Sequence, residues 1–251
     1  MVVACSTLCF GSLALRDALR RMQELHFAKV DLAIHAAGPH LTPAQVTEDL
    51  ARILKQLKIS NAIFAAFHIE TDPFDSPEVR EQLKAISRLA RLLAVPILTV
   101  QADAATANLD AEVTRLAEWN RLVVADGVIL TVETRRGTLT ETAENCLHLC
   151  RAVPGLGLTF DPSHFMESAD ATTEPLYPYI RHVRLRDSGK KPNEYQVRVG
   201  QGEIEYSKIH SLLERHRYDR ALSVDVRDVP DGAFPVEPEV RKLKFLLESM
   251  D

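Results

Sequence analysis

Three carboxylates and a histidine carry the chemistry this sequence could do: Glu133 ends VILTVE, Asp161 and His164 share LTFDPSHF, and Asp225 sits in ALSVDV. Other apolar runs also close on polar groups, namely His35, His68, Gln101, and Arg184 with Asp187. These residue types suit metal binding, acid/base work or contacts to sugar hydroxyls. Brought to one mouth, Glu133, Asp161 and Asp225 would repel one another unless a cation or a proton sat among them. That is the physical case for a metal.

The elements that must position them form a regular rhythm. Short β-branched runs begin at Val2, Ala28, Ser60, Pro96, Val128, Leu156, His182 and Ala221. Between them apolar residues recur at helical spacing, as in Leu15, Leu19, Met22 and Leu25, then Val46, Leu50, Ile53, Leu54 and Leu57, then Leu83, Ile86, Leu89, Ala90 and Leu93. Further helices are predicted near Asp110, Leu139 and Ser207, with EVRKLKFLLESM last. The stretch SADATTEPLYPYI allows only a short helix or 3₁₀ turn. Eight β-α repeats without a Gly/Ser-rich linker predict one α/β domain over residues 1–251, a (β/α)8 TIM barrel, in which the strand-end residues above converge. An open doubly wound sheet is the alternative, but TLCFGSLAL after the first run lacks the G-x-G-x-x-G turn of a dinucleotide site.

The 251 residues are 46% hydrophobic and 26% charged with a net charge of −5, ordinary for a globular protein and without the basic excess of a nucleic-acid binder. Cys5, Cys9, Cys146 and Cys150 lack C-x-x-C spacing and read as reduced, buried thiols. MVVACSTLCF has no basic leader region, and no apolar run reaches the ~18 residues of a membrane span. A cytoplasmic protein with no nucleic-acid or membrane partner is expected.

VILTVETRRG, LGLTFDPSHF, IRHVRLRDSG and VGQGEIEYSKI, in this order, make the chain resemble the xylose isomerase-like TIM barrels, which include sugar and sugar-phosphate isomerases and epimerases as well as endonuclease IV. The resemblance implies a small carbohydrate substrate, homo-oligomers in some members, and a divalent ion (Mn, Mg or Zn) held by a Glu, an Asp, a His and a second Glu. By motif the metal set becomes Glu133, Asp161 with His164, and Asp225 in place of the last Glu. The strand-seven pattern H-x-H-x-x-D reads HVRLRD here, so Arg184 takes the ligand histidine's place. An arginine cannot ligate a cation, but it can pair with the carboxylates or grip a substrate carboxylate or phosphate. The metal site is therefore weakened or absent, or else His164, His182 or His68 completes it.

The resemblance implies isomerisation or epimerisation through an enediolate, with Glu133 and Asp225 as the catalytic acid/base pair and a metal, Arg184 or a protonated histidine facing the oxyanion. His68, Gln101, His164, Arg184 and Arg198 are the expected substrate contacts, and Glu70 and Asp72 add polarity after the third strand. A sugar-acid or inosose dehydratase, or a sugar-binding barrel without turnover, are the alternatives. The Asp-x-His pair of endonuclease IV is replaced by Val197-Arg198-Val199, so DNA repair is not expected.

Overall fold

Short β-branched runs cannot hide both faces alone, and helices of similar reach follow most of them; packing one onto the other gives alternating β-α units. In the computed structural model, which describes residues 1–71, 76–165, 173–191 and 194–250, the strands close into a parallel barrel in chain order, β1 pairing with β8. They are β1 (Val2–Ser6), β2 (Lys29–His35), β3 (Phe64–Glu70), β4 (Ile97–Val100), β5 (Ile129–Glu133), β6 (Gly157–Phe160), β7 (Ile180–Leu185) and β8 (Ala221–Val224). The expected (β/α)8 TIM barrel is this architecture. Asp72 lies outside the described residues.

The helices are α1 (Leu15–Glu24), α2 (Pro43–Glu48), α3 (Leu50–Ile59), α4 (Pro77–Leu92), α5 (Leu109–Val124), α6 (Ala143–Ala152), α7 (Tyr206–Arg215) and α8 (Val236–Glu248). The periodic segment from Val46 to Leu57 divides into α2 and α3 because Asp49 leaves helical geometry, and its carboxylate accepts the Arg52 N–H as the cap of α3. Among the described residues between β6 and β7, the longer helical piece is a 3₁₀ turn, Glu174–Tyr179. Prolines at 175 and 178 remove the N–H groups a longer helix would need. No helix of the described residues is long and apolar enough to cross a membrane. All four cysteines are free and buried.

Inside the barrel, polarity is stacked in layers. Thr99, Thr131 and Thr159, from β4, β5 and β6, exchange hydroxyl hydrogen bonds of 2.8–3.0 Å with no exposure to solvent. Each side chain points inward, and the next inward positions, two residues on, are Glu133 and Asp161. The triad thus supports the floor of the mouth. Replacing Thr159 by Val removes the hydroxyl shared by both partners and should cost about 1–2 kcal/mol of stability; urea unfolding with an unchanged far-ultraviolet spectrum measures it.

Candidate active site

The centre of the C-terminal mouth is a guanidinium. Arg184, inward on β7, is completely buried: its Nη1 donates to Glu133 Oε1 at 3.0 Å, its Nη2 to Asp225 Oδ1 at 2.7 Å and to Ser6 Oγ at 3.3 Å, and its Nε lies 3.4 Å from Asp31 Oδ2. Asp31, inward on β2, also meets His182 Nε2 at 3.0 Å. Burial alone would raise the pKa values of Asp31, Glu133 and Asp225, yet all three are lowered: Asp31 and Asp225 chiefly by Arg184, Glu133 by His68 and then Arg184.

A second ring of arginines lies above. Arg186, one inward step beyond Arg184, uses Nη1 for Asp225 Oδ2 at 2.8 Å and Nη2 for Asp161 Oδ2 at 2.7 Å. Arg227 reaches Asp225 Oδ2 through Nε at 3.1 Å, so three guanidiniums share one carboxylate. Asp161 caps the 3₁₀ turn Pro162–His164 by accepting the Ser163 N–H and hydroxyl, which turns His164 toward the mouth. His164 Nε2 is 3.1 Å from Arg186 Nη2 and 3.6 Å from Asp161 Oδ2. Burial lowers its pKa and Asp161 only partly restores it, leaving a neutral imidazole near pH 7. Asp187 anchors the loop beside the mouth by accepting the N–H groups of Ser188, Gly200 and Gly202, where a Cβ at Gly202 would strike the Asp187 carboxylate.

On the β2–β3 side the polar residues form a chain. His35 Nδ1 is 3.5 Å from Glu70 Oε2, His35 Nε2 is 2.7 Å from His68 Nδ1, and His68 Nε2 is 3.2 Å from Glu133 Oε1. Arg135 Nη1 donates to Glu70 Oε1 at 2.7 Å, and against burial His35, His68 and Arg135 hold Glu70 down to about 2. In the contact between the rings one inner nitrogen donates and the other accepts. Burial and then His68 push His35 down to about 3.

Over this mouth opens a chamber of about 530 Å³, lined by Arg135, Arg136, Arg186, Arg227, His164 and Tyr195 together with an apolar wall around Phe234. The chain from residue 16 to residue 248 matches the model of one family, the xylose isomerase-like TIM barrel. It belongs to that family. An inosose dehydratase of Clostridium perfringens is 24% identical over 232 residues, 78% of each chain. The fold is shared with a D-allulose 3-epimerase of Methylomonas in complex with D-allulose, at a TM-score of 0.78 with 12% identity over 100% of this chain and 97% of that one. A family barrel of Mycobacterium smegmatis in complex with magnesium superposes at 0.73 with 15% identity, covering 100% and 97%.

The divalent ion of such barrels does not fit the corresponding residues here. Glu133 and Asp225 are turned onto Arg184 and Asp161 onto Arg186, so a cation placed among them would meet two guanidiniums. Among the described residues, the one group of three or more His, Cys, Asp or Glu side chains whose ligand atoms all lie within 4.8 Å is His35, His68 and Glu70. There His35 Nε2 and His68 Nδ1 are turned onto one another and Glu70 onto Arg135, so an ion would have to displace both contacts.

Of the expected substrate contacts, His164 lines the chamber. His68 and Arg184 lie beneath it, 1% and 0% exposed, as ties in the ionic floor. Gln101 is turned away: β4 ends at Val100, strand alternation stops there, and the side chain lies among Ile69, Leu83 and Trp119 on the helix side. Arg198 stands outside the chamber, half-exposed and 3.7 Å from Glu239. Glu133 and Asp225 likewise lie below the lining, fully buried. Asp31, Arg135, Arg136, Arg186 and Arg227 escaped sequence reading, although 182, 184 and 186, or 225 and 227, share a face by simple alternation.

Two outcomes follow for stability. Arg184→Met leaves Asp31, Glu133 and Asp225 short of a buried partner and should cost about 3–5 kcal/mol in urea unfolding. The folded-state values of Asp31, Glu70, Glu133, Asp225 and His35 all lie below their unfolded ones. Their stabilisation is complete above the unfolded values, roughly 6.5 for histidine and 4 for carboxylates, and is lost as pH falls through the folded ones. The urea midpoint should therefore decline from about pH 6.5 and more steeply below about pH 4.5.

Proposed function

We propose that the protein is an enzyme that moves a proton next to the carbonyl of a hydroxylated, sugar-like substrate, and that His164 is the group that moves it. One observation carries this reading: among the described residues lining the chamber there is one imidazole, no carboxylate and four guanidiniums. A neutral imidazole can take a proton from carbon when Nε2, which accepts from Arg186 Nη2, is released toward the substrate, and Arg186 beside it supplies the positive partner that an enediolate oxygen requires. Glu133 and Asp225 serve by fixing the guanidiniums.

A single base returning the proton to the neighbouring carbon, with the hydroxyl proton of the enediol passing from one oxygen to the other, completes an aldose–ketose isomerisation. Epimerisation at one carbon needs a second donor on the opposite face, and the described lining holds no second acid for it. The inosose dehydratase relative supports a second fate for the same intermediate. If the next carbon carries a hydroxyl, the electron pair of the enediolate forms a C=C bond, the C–O bond breaks, and the proton held by His164 leaves with the hydroxyl as water. Because guanidiniums stand where the family's ion would, turnover is expected to survive dialysis against a chelator.

Nuclear magnetic resonance of aldoses, ketoses and keto-cyclitols incubated with the protein in deuterated water is the test. Exchange at a carbon next to the carbonyl, cut by about 10²–10⁴-fold in His164→Gln and undiminished by chelator, is the expected result. Exchange that persists in His164→Gln would remove the assignment of that residue. Binding without any exchange would instead favour a sugar-binding barrel without turnover.

A further inference from the structure

We infer that the chamber selects a substrate bearing its own anionic group, a carboxylate or a phosphate monoester, through the guanidiniums of Arg227 and Arg135. The inference deepens the proposed function and rests on it only for calling the ligand a substrate. Arginines follow β5, β7 and β8 at the mouth and converge on the chamber, and the described lining contains no acidic side chain. The carboxylates that balance them are below: Asp161 and Asp225 are fully buried, and Glu70 stands to one side.

The individual geometries separate structural from ligand-directed groups. Arg186 ties Nη1 to Asp225 and Nη2 to Asp161 and His164, which fixes its plane, leaves no fork for a second anionic group and keeps one Nη1 hydrogen for the reacting oxygen. Arg227 reaches Asp225 through Nε alone, which leaves the planar fork of Nη1 and Nη2 for a ligand. That fork matches the spacing of two oxygens on a carboxylate or phosphate. Arg135 uses Nη1 for Glu70 and presents Nη2. Opposite them Val229, Ala233 and Phe234 give an apolar wall suited to the C–H edge of a carbon skeleton. At about 530 Å³ the chamber has the size of ordinary small-molecule sites, with room for a six-carbon chain and an anionic group.

Isothermal titration of the whole protein decides the matter, with fructose, fructose 6-phosphate and gluconate as ligands and inorganic phosphate as a competitor. Binding of the phosphate ester or of the sugar acid at least about 100-fold tighter than of the neutral ketose, weakened by added salt and displaced by phosphate, is the expected outcome. The ester and acid arms distinguish the source of the charge. Arg227→Gln should abolish most of this preference, and Arg135→Gln, at a half-buried position, repeats the test if the first variant fails to fold. Equal binding of neutral and anionic ligands, or a preference untouched in folded Arg227→Gln and Arg135→Gln, would overturn the inference. Deuterium exchange into neutral sugars with no charge preference would leave the proposed function standing without it, whereas selective anion binding with no exchange would do the reverse.

Discussion

A buried guanidinium surrounded by three carboxylates is the constraint on which the rest of this mouth depends. Arg184 draws together Asp31 from β2, Glu133 from β5 and Asp225 just beyond β8, residues from widely separated parts of the barrel wall. Taking any of these ions out of water alone would cost several kcal/mol. The cluster is tolerable only because each carboxylate has an atom within 2.7–3.4 Å of the Arg184 guanidinium. A metal-binding barrel meets the same difficulty with an ion whose ligands are carboxylates. Here the positive charge is covalently part of β7, so it cannot be lost by chelation and it fixes the carboxylates by direction as well as by charge.

This arrangement changes what the acidic residues can do. Asp225 accepts from Arg184, Arg186 and Arg227 at once, and its pKa is lowered despite full burial. A carboxylate held that far down is a weak base, and one enclosed by three guanidiniums has little surface to offer. Its effect passes upward instead, because it orients Arg186 and Arg227, and these form the wall a ligand would meet. Asp161 acts similarly by ordering the Pro162–His164 turn on one side and Arg186 on the other.

Most of the fold was legible because each β-α unit carries its own pattern: β-branched runs, apolar helical stripes and caps such as Asp49 can be read locally. The strand-end residues were legible for the same reason, since Glu133, Asp161 and Asp225 occupy inward positions that alternation marks. What escaped was pairing across the barrel. Asp31 lies in the middle of AKVDLAI, where an isolated acid suggests nothing until Arg184 faces it from β7. Arg186 and Arg227 continue the alternation of Arg184 and Asp225 past the ends of β7 and β8, where a strand pattern ceases to be trustworthy. Gln101 shows why, since β4 stops one residue before it and the side chain turns outward.

The surplus of guanidiniums at the lining also bears on how His164 works. Burial lowers its pKa first, and the neighbouring Arg186 lowers it further while Asp161 opposes them. Such an imidazole is neutral and ready to accept a proton, but its protonated form is a poor one to keep beside a fixed cation. The proton would therefore be passed on rather than stored, which suits a group that takes it from one atom and gives it to the next. An enediolate formed in the chamber adds negative charge at the moment the imidazolium adds positive charge, so the two changes offset each other near Arg186. The same balance links binding to chemistry, because an anionic group held by the upper arginines would screen their repulsion of the imidazolium and leave Arg186 to the reacting oxygen.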